Sequence, residues 1–295
     1  MKRVEIIYGG TSNEKEISFL TAKSIYEHVD TNLYNPGLTD LSKFDPDSFD
    51  NETIFFIAVH GEGGEDGKLQ TLLENKKRTF TGSSSESCIL TWDKVATKRK
   101  LIENDIFTPQ FKSIKNNEQF DFNDIFFTEH EHYFVKPNFN GSSYGISKVL
   151  DKKFKEAVRE AKNYSSEVII EKSFNGPEYT VGLLKGNPLT PLQILHDPIS
   201  GFYDYDAKYN LQNTKKIKVE DKRIKKRLKE ISKKVFECLN CKTWARVDFV
   251  SERENLAVIE INSVPGFTDK SLFPLAAKYS GIEYKELISL IIEDC

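Results

Sequence analysis

The chain has 295 residues, 38% of them hydrophobic and 29% charged, which predicts a globular protein of two or three compact units. Its net charge of −3 excludes a global basic field that would draw it to nucleic acid or to an anionic membrane. No apolar run approaches the roughly 20 residues of a membrane-spanning helix, and the four cysteines form no paired framework, so we expect a protein of the reducing cytoplasm.

The first 89 residues alternate between strand and helix patterns. Val4–Tyr8 is an apolar strand that ends at Gly9-Gly10, and Thr53–Val59 is a continuous apolar run typical of a parallel strand buried on both faces. Between them, a helical spacing is kept by Ile17, Leu20, Ser24, Ile25 and His28. The glycine-rich stretch His60–Gly67 then precedes a second helix. These patterns predict a small α/β unit over residues 1–89.

Residues 90–172 predict a second unit in which helices and strands alternate less regularly, giving it α+β character. The expected elements are a helix containing Asp93-Lys94, a loop at Lys115–Asp124, strands at Tyr133–Lys136 and Gly145–Leu150, a helix over 152–164 and a strand at Val168–Glu171. Lys172–Pro177 is expected to be a hinge that leads into the last unit.

Residues 173–295 predict a third unit with a similar mixture of elements. It is expected to contain a strand at Tyr179–Leu184, a turn at Gly186-Asn187, a polar loop over 197–220, a basic helix over 221–237, strands at Thr243–Val250 and Ala257–Asn262, and a final helix from near Ser271.

The last two predicted strands carry polar side chains on one face. Alternate side chains of a strand share a face, so Arg246 and Asp248 point the same way. In the next strand Glu260 and Asn262 share a face, with Ile259 opposite. If the two strands form a hairpin, Asp248, Glu260 and Asn262 converge as oxygen ligands of the kind that Mg²⁺ prefers. The polar outer face of an ordinary edge hairpin is the alternative.

A loop rich in glycine and serine, Lys136–Gly145, joins two predicted strands. Backbone N–H groups of such a loop can close over phosphate oxygens. The loop lacks the Walker A pattern and no helix follows it, so it resembles a lid more than a preformed phosphate cradle. A plain hairpin turn is the alternative.

Isolated polar residues also have two interpretations each. Three lysines beside apolar strands or motifs are candidate phosphate contacts, although most lysines are solvated: Lys94, Lys136 and Lys208. Glu14 is a candidate site residue after the first strand, or the partner of Thr11 in a capping box. Ser271 is an N-cap residue, at a place where free N–H groups can also meet a carboxylate.

Two features suggest other classes of protein. Cys238 and Cys241 form a C-x-x-C pair, which can be a redox site or half of a zinc site. Without a second pair or zinc-type histidine spacing, we favour ordinary thiols.

The helix before these cysteines is basic and could belong to a nucleic-acid-binding module. A solvated helix face is favoured, because the whole chain is acidic and no set of base-stacking aromatic residues accompanies the helix.

In chain order, the motifs are Gly9-Gly10-Thr11-Ser12-Asn13-Glu14, His60-Gly61 with Gly64-Glu65-Asp66-Gly67, Asp93-Lys94, Lys136-Pro137 with Gly141-Ser142-Ser143, Glu171 with Gly176-Pro177-Glu178, Tyr205-Asp206-Ala207-Lys208-Tyr209, Arg246-Val247-Asp248-Phe249, Glu260-Ile261-Asn262 and Pro265-Gly266-Phe267-Thr268 with Ser271-Leu272. Together they closely resemble the D-alanine–D-alanine ligase family over nearly the whole chain. The resemblance implies an ATP-grasp fold of three subdomains, with the nucleotide between the central and C-terminal ones.

The resemblance also implies a reaction. The carboxylate of one D-alanine attacks the γ-phosphorus of ATP and becomes an acyl phosphate, and the amine of a second D-alanine then displaces phosphate. Such catalysis consists mainly of positioning and charge neutralisation. The cofactors implied are ATP as co-substrate and two Mg²⁺ ions, which Mn²⁺ can replace. The dipeptide product would serve peptidoglycan synthesis, and the family suggests a cytoplasmic homodimer.

Site residues follow from the resemblance where a motif of this chain matches a motif of the family. The metal ligands implied in this way are Asp248, Glu260 and Asn262. The implied ATP contacts are Lys94, Lys136 and Lys208 for phosphates, Ser142 and Ser143 in the covering loop, Glu178 for the ribose, Glu171 at the adenine-side hinge, and Ile146, Val250 and Ile259 as apolar walls. The implied amino-acid contacts are Glu14 with His60 for the first D-alanine and Ser271, Leu272 and Lys208 for the second. Arg246 and the Gly266 N–H would stabilise the oxyanion, and Tyr209 would close the site through Ser142 and Glu14.

Alternatives remain within and beyond this family. A relative could make D-alanyl-D-lactate or D-alanyl-D-serine, although Tyr209 argues against lactate, because such family members often lack that tyrosine. A nucleotide-binding pseudoenzyme is disfavoured by the full set of candidate ligands. The stretch Asn210–Lys218 is more basic than the family pattern, which bears on selection of the second substrate.

Overall fold

The computed structural model describes residues 1–12, 14–116, 118, 132–141, 144–150, 153–195 and 215–295. Their strands form three separate sheets. The first unit contains, in chain order, β1 Lys2–Tyr8, α1 Lys15–His28, β2 Tyr34–Asp40, β3 Ile54–Ile57, α2 Lys68–Asn75, β4 Thr79–Phe80 and α3 Ser85–Trp92.

The first sheet is parallel and has the strand order β2-β1-β3-β4. Val4–Ile7 and Ile54–Ile57 are buried throughout, as expected for parallel strands covered on both faces. The apolar runs therefore predicted β1 and β3, and the helical spacing predicted α1. No comparable pattern predicts β2, because its residues Tyr34–Asp40 include a proline and a glycine.

The middle sheet is antiparallel, with the order β5-β8-β6-β7. Its elements and the helix before it are α4 Lys94–Glu103, β5 Phe111–Lys115, β6 His132–Pro137, β7 Ser147–Leu150, α5 Phe154–Ala161 and β8 Glu167–Lys172. The predicted hairpin is present, since Tyr133 pairs with Val149 and Val135 with Ser147. The predicted loop Lys115–Asp124 begins within β5 and lies mostly outside the described residues.

The third sheet has the order β12-β11-β9-β13-β14, with β10 paired to β9. The unit contains β9 Glu178–Leu184, β10 Asn187–Pro188, β11 Leu192–Leu195, β12 Lys215–Lys218, α6 Lys222–Cys238, β13 Trp244–Glu252, β14 Asn255–Asn262, α7 Leu272–Tyr279 and α8 Tyr284–Ile292. Two predictions were wrong here. The polar loop 197–220 includes strand β12, and the final helix is two helices separated at Gly281, which has φ +86°.

The hydrophobic cores show how these sheets are joined. One core combines Val4, Ile6 and Phe56 of the first sheet with Trp244 and Phe273 of the third unit. A different core fills the middle unit, between its sheet and α5. The first and third units therefore share buried apolar surface. Within the described residues, no helix has the length and apolar character needed to cross a bilayer.

Candidate functional site

Two neighbouring cavities lie where the sheets meet. The first, called the inter-sheet cleft, lies between the middle and third sheets and is lined by residues that include Lys94, Phe134, Lys136, Ile146, Glu171, Glu178, Asp248, Val250, Ile259 and Glu260. The second, called the polar pocket, lies between the first and third units and is lined by Glu14, Ile17, Leu20, His60, Glu65, Gly141, Lys216, Arg246, Asn262, Gly266, Thr268, Lys270, Ser271 and Leu272. Gly141 lines both cavities.

The inter-sheet cleft has apolar walls on opposite sides. Ile146, Val250 and Ile259, the three residues expected to flank an adenine ring, all line it, as do the half-buried rings of Phe134 and Phe174. Phe174 is held in place by stacking on Phe107, with ring centroids 6.0 Å apart. A flat heteroaromatic ring fits between such walls.

A β-bulge aims two adjacent side chains into this cleft. Asp248 is paired with Glu260, but Phe249 is paired with Val258, so Ile259 is an extra residue in β14. Ile259 therefore lines the cleft together with Glu260, whereas strict alternation placed it on the opposite face. That sequence-based expectation was wrong, and the register shift is the reason.

A buried ion cluster forms one end of the inter-sheet cleft. Lys136 Nζ donates to Glu171 Oε2 at 2.7 Å, and Lys98 Nζ lies 3.1 Å from Glu171 Oε1. Although burial opposes the shift, the two ammonium groups lower the pKa of Glu171 to about 2. Lys98 also donates to Thr108 Oγ1 at 2.6 Å. Glu171 is thus an anion held between two cations, and Lys136 lies at the cleft surface.

Lys94 lies at the same cleft beside the glycine-serine loop. Its Nζ donates to the backbone oxygens of Asn138 and Asn140, and burial lowers its pKa while the charge of Glu260 opposes that shift. The buried Asn138 side chain joins the loop to α4, accepting from Val95 N at 2.9 Å and donating to Asp93 at 2.9 Å. Lys94 and Lys136 are therefore both placed to meet an anionic ligand.

Two of the three candidate metal ligands are neighbours across the hairpin, as strand alternation predicted. Asp248 and Glu260 are cross-strand partners, and Asn262 lies opposite Arg246. Asp248 Oδ1 accepts from Thr180 Oγ1 at 2.6 Å, and Asn262 Oδ1 accepts from Val264 N at 3.0 Å. In the described part of the chain, no group of three or more His, Cys, Asp or Glu side chains is arranged to hold a metal ion.

These residues still fit a hard cation of the Mg²⁺ type. Two carboxylates and one amide supply only oxygen donors, and Mg²⁺ keeps several waters or phosphate oxygens as its other ligands. An amide oxygen has two lone pairs, so Asn262 retains acceptor capacity beside its bond from Val264. The set is sufficient for an ion that also binds a polyphosphate, and too small for an all-protein cage.

One end of the polar pocket is acidic. Glu14 and Glu65 are both buried, with 8% of each residue exposed, and a Cβ added at Gly141 would lie 3.6 Å and 3.1 Å from their Oε2 atoms. The predicted capping box is absent: α1 begins at Lys15, and Glu14 makes no side-chain cap bond. Glu14 is therefore not used to cap α1 and lines the pocket instead.

His60 links the units that form this acidic end. Its Nδ1 lies 3.2 Å from the Val264 carbonyl oxygen, and its Nε2 lies 3.0 Å from Thr21 Oγ1. Because a carbonyl oxygen only accepts, Nδ1 donates to Val264, and Nε2 pairs with the Thr21 hydroxyl. His60 thus connects α1 to the loop that follows β14, while its ring also faces the pocket.

The polar pocket also has a basic group of lining residues, which we call its basic end. Arg246, Lys216 and Lys270 contribute cationic side chains there, next to Gly266, Ser271 and Leu272. Ser271 is the N-cap residue of α7 by position, but its hydroxyl accepts from Thr268 N at 3.0 Å instead of capping the helix. The first N–H groups of α7 are consequently not capped by this side chain, and their partial positive charge adds to that of the basic end.

Four predicted site residues lie outside the described residues: Ser142, Ser143, Lys208 and Tyr209. The expected hydrogen-bond group of Tyr209, Ser142 and Glu14 includes two of these four residues, and only its third member, Glu14, is described.

The two cysteines of the C-x-x-C pair lie at the end of α6. Cys238 and Cys241 are free, and Cys241 belongs to the core beneath α6, where burial raises its pKa to about 11. This environment favours the interpretation of ordinary thiols.

Sequence reasoning missed several residues that line or support the site. Phe134 could have been found, because it is two residues from Lys136 and therefore shares its strand face. Glu65 belongs to the motif Gly64-Glu65-Asp66-Gly67, from which no role was predicted for it, and it lines the polar pocket. The roles of three further residues depend on contacts between elements that are distant in the chain, and a single sequence has no signal for such contacts: Lys98, Thr180 and Lys216.

Comparisons with known proteins show which family the chain resembles. Residues 103–293 match the family described as D-ala D-ala ligase C-terminus. The chain is 34% identical to the D-alanine–D-alanine ligase of Saccharophagus degradans, over 98% of this chain and 93% of the relative. It is 35% identical to D-alanine–D-alanine ligase B of Clostridium perfringens, over 99% and 97%. The crystal structure of the Bacillus anthracis D-alanine–D-alanine ligase complexed with ATP matches with TM-score 0.87, 28% identity and coverage of 100% and 97%.

Proposed function

The chain belongs to the D-alanine–D-alanine ligase family, and on that premise we propose that it joins two D-alanines into D-alanyl-D-alanine, converting ATP to ADP and phosphate. The observation that carries the proposal is the meeting of the two cavities at Gly141. One cavity has apolar walls and cationic side chains, as a nucleotide requires, and the other is acidic at one end and basic at the other, as a zwitterion requires. A phosphoryl group of a nucleotide at the end of the inter-sheet cleft would therefore reach the carboxylate of an amino acid in the polar pocket.

In this proposal the adenine ring lies between the apolar walls of the inter-sheet cleft. Glu178, the half-buried first residue of β9, receives the ribose hydroxyls, and Glu171 marks the adenine side of the cleft. Lys94 and Lys136 neutralise phosphate oxygens, supported by their position on the cleft surface. Ser142, Ser143 and Lys208 complete the phosphate contacts by family resemblance.

We assign Asp248, Glu260 and Asn262 as the ligands of Mg²⁺, with two ions expected and Mn²⁺ able to replace them. When bound, the ions would neutralise charge on the phosphate oxygens during transfer. The oxygen-only donor set supports this assignment, as does the pairing of Asp248 with Glu260 across the hairpin.

The first D-alanine binds with its ammonium group at Glu14, with His60 nearby, and its carboxylate pointing to the cleft. That carboxylate attacks the γ-phosphorus, the bond between this phosphorus and the β–γ bridging oxygen breaks, and ADP leaves. Arg246 and the Gly266 N–H stabilise the oxyanion that forms in the next step, a role supported by the presence of both residues in the lining of the polar pocket. Preorganised donors of this kind act mainly on the transition state.

The second D-alanine binds with its carboxylate at Ser271 and the Leu272 N–H, at the start of α7, with Lys208 as a third contact. Its amine, after losing a proton, attacks the carbonyl carbon of D-alanyl phosphate. The bond from that carbon to the phosphate oxygen breaks, and inorganic phosphate leaves. Tyr209 would exclude water through its hydrogen bonds with Ser142 and Glu14.

The remaining parts of the proposal concern organisation and setting. The division into subdomains at 1–89, 90–172 and 173–295 is supported by the three separate sheets. By family resemblance, the protein would act as a homodimer in the cytoplasm, where its product enters peptidoglycan synthesis.

The test is ADP formation with ATP, Mg²⁺ and D-alanine, with the product identified by mass. D-alanine should support turnover and yield D-alanyl-D-alanine, whereas L-alanine should not. Parallel reactions that add D-serine or D-lactate measure the alternative products. Absence of dipeptide with D-alanine, or a mixed product formed in preference to it, would contradict the proposal.

A further inference from the structure

Strand β12 has an unusual pattern of burial for an edge strand. Lys216 is half-buried, while the next residue, Ile217, is 42% exposed. An ordinary half-buried strand would turn the isoleucine inward and the lysine outward. Departures of this kind from hydrophobic patterning are expected at functional sites.

The position of Lys216 follows from its pairing. Lys216 lies opposite Ile194 of β11, a residue that lines the inter-sheet cleft. Lys216 itself lines the polar pocket, and its Nζ donates to the backbone oxygen of Lys270 at 3.4 Å. Lys270 directly precedes Ser271, the N-cap residue of α7. The ammonium group therefore lies beside the start of α7.

The surroundings of Lys216 disfavour its charge. Burial, and to a smaller extent the charge of Arg246, lower the pKa of Lys216. Because Arg246 is itself paired with Asp248, burial is the main cost of the Lys216 ammonium group. Nearby anions of the pocket, Glu14 and Glu65, belong to the acidic end. A ligand carboxylate at the start of α7 would therefore offset the cost of burying the Lys216 ammonium group.

Building on the proposed function, we propose that Lys216 binds the carboxylate of the acceptor amino acid and helps to select an acceptor that carries one. Phosphate is the other anion that could reach this place, so the nucleotide is the competing occupant. The carboxylate is favoured because Lys216 lines the polar pocket with Ser271 and Leu272.

The test uses the full chain with Lys216→Met, Lys216→Arg and the control Lys215→Met. Lys215 precedes Lys216 in β12 and is exposed. Initial rates over a range of D-alanine concentrations, at saturating ATP, resolve the Michaelis constants of the donor and acceptor sites. Lys216→Met should raise the acceptor constant about tenfold, because a hydrogen bond between charged groups contributes about that factor. The donor constant, the KM of ATP and kcat should each change less than about twofold.

Lys216→Arg should restore most of the acceptor affinity, and Lys215→Met should match the parent chain. If Lys216→Met unfolds, Lys216→Gln provides the same comparison. An unchanged acceptor constant overturns the proposal, and so does a rise confined to the KM of ATP, which would assign Lys216 to phosphate. These results require a parent chain that makes dipeptide, so they are distinct from failure of the proposed function itself.

Discussion

Arg246 and Asp248 form a two-point ion pair along one face of β13, with Nη2 2.7 Å from Oδ2 and Nε 3.0 Å from Oδ1. The pair lies at the boundary of the two cavities, because Arg246 lines the polar pocket and Asp248 lines the inter-sheet cleft. Both residues also take part in the proposed reaction. The guanidinium group is therefore fixed in orientation by the same carboxylate that is assigned to the metal.

The first prediction concerns Arg246. Arg246→Ala should lower kcat about 10²- to 10³-fold, the usual effect of removing one well-placed oxyanion donor. Arg246→Lys keeps the charge but loses the planar two-point contact, so it should still lose much of the rate. ATP affinity should change less than turnover. Steady-state kinetics with thermal melting checks this. Unfolding of Arg246→Ala would mean that the residue is a structural partner of Asp248.

The second prediction concerns the metal. Glu260→Gln should lower turnover by at least about 100-fold and weaken Mg²⁺–ATP binding while the fold survives, because one of only two carboxylates is lost. Rates are measured against Mg²⁺ concentration at fixed ATP. The control is Glu254→Gln, an exposed residue in the turn of the same hairpin. Near-normal rates for Glu260→Gln at limiting Mg²⁺ would remove it from the ligand set.

The third prediction concerns Glu14. Glu14→Gln removes the charge expected to hold the donor ammonium, so the KM of the donor D-alanine should rise about 10- to 100-fold. The KM of ATP should stay nearly constant. Glu16→Gln is the matched control, since Glu16 is exposed on the same helix. Equal donor constants in the two variants would show that the first ammonium binds elsewhere.

The fourth prediction concerns stability at acid pH. The pKa of Glu171 falls from its ordinary value of 4.5 to about 2, so its stabilising contribution is complete above about pH 4.5 and is lost as the pH falls towards 2. Glu171→Gln leaves two buried ammonium groups without their carboxylate and should lower the free energy of unfolding by about 3–5 kcal/mol at neutral pH.

Chemical denaturation at pH 7, 4 and 3 measures this effect. The difference between the parent chain and Glu171→Gln should shrink as the pH falls, because protonation of Glu171 makes the two chains alike. Glu160→Gln, at an exposed position of α5, should follow the parent chain throughout. A difference that does not depend on pH would mean that Glu171 does not titrate as an ion held between Lys98 and Lys136.

Strand periodicity predicted much of the third unit. Side-chain alternation was sufficient to predict that Asp248 and Glu260 lie close together, because a hairpin with a short connection has few possible registers. The apolar runs of β1 and β3 were equally informative, because parallel strands covered on both faces need continuous apolar sequence.

The rest depends on information that is not local. The bulge at Ile259 turns the side chain of that residue to the face opposite the expected one. No residue type in β14 predicts a bulge at this position. Lys98 reads as a surface lysine on α4 until β8 places Glu171 against it. The sequence of strand β12 predicts a loop, because three of its four residues are lysines and hide any alternation of polar and apolar side chains.

The distribution of the hydrophobic cores gives the two cavities different mechanical properties. The polar pocket has walls from the first and third units, which share one apolar core around Trp244. The inter-sheet cleft has a wall from the middle sheet, which has a core of its own. Asn138 and Glu171 tie this sheet to α4, a helix whose Leu101 packs in the core of the third unit. Apolar packing thus sets the width of the amino-acid site, whereas hydrogen bonds and ion pairs help to set the width of the nucleotide site. Loss of one of these buried polar contacts should therefore change the spacing of the nucleotide-binding walls more readily than that of the amino-acid site.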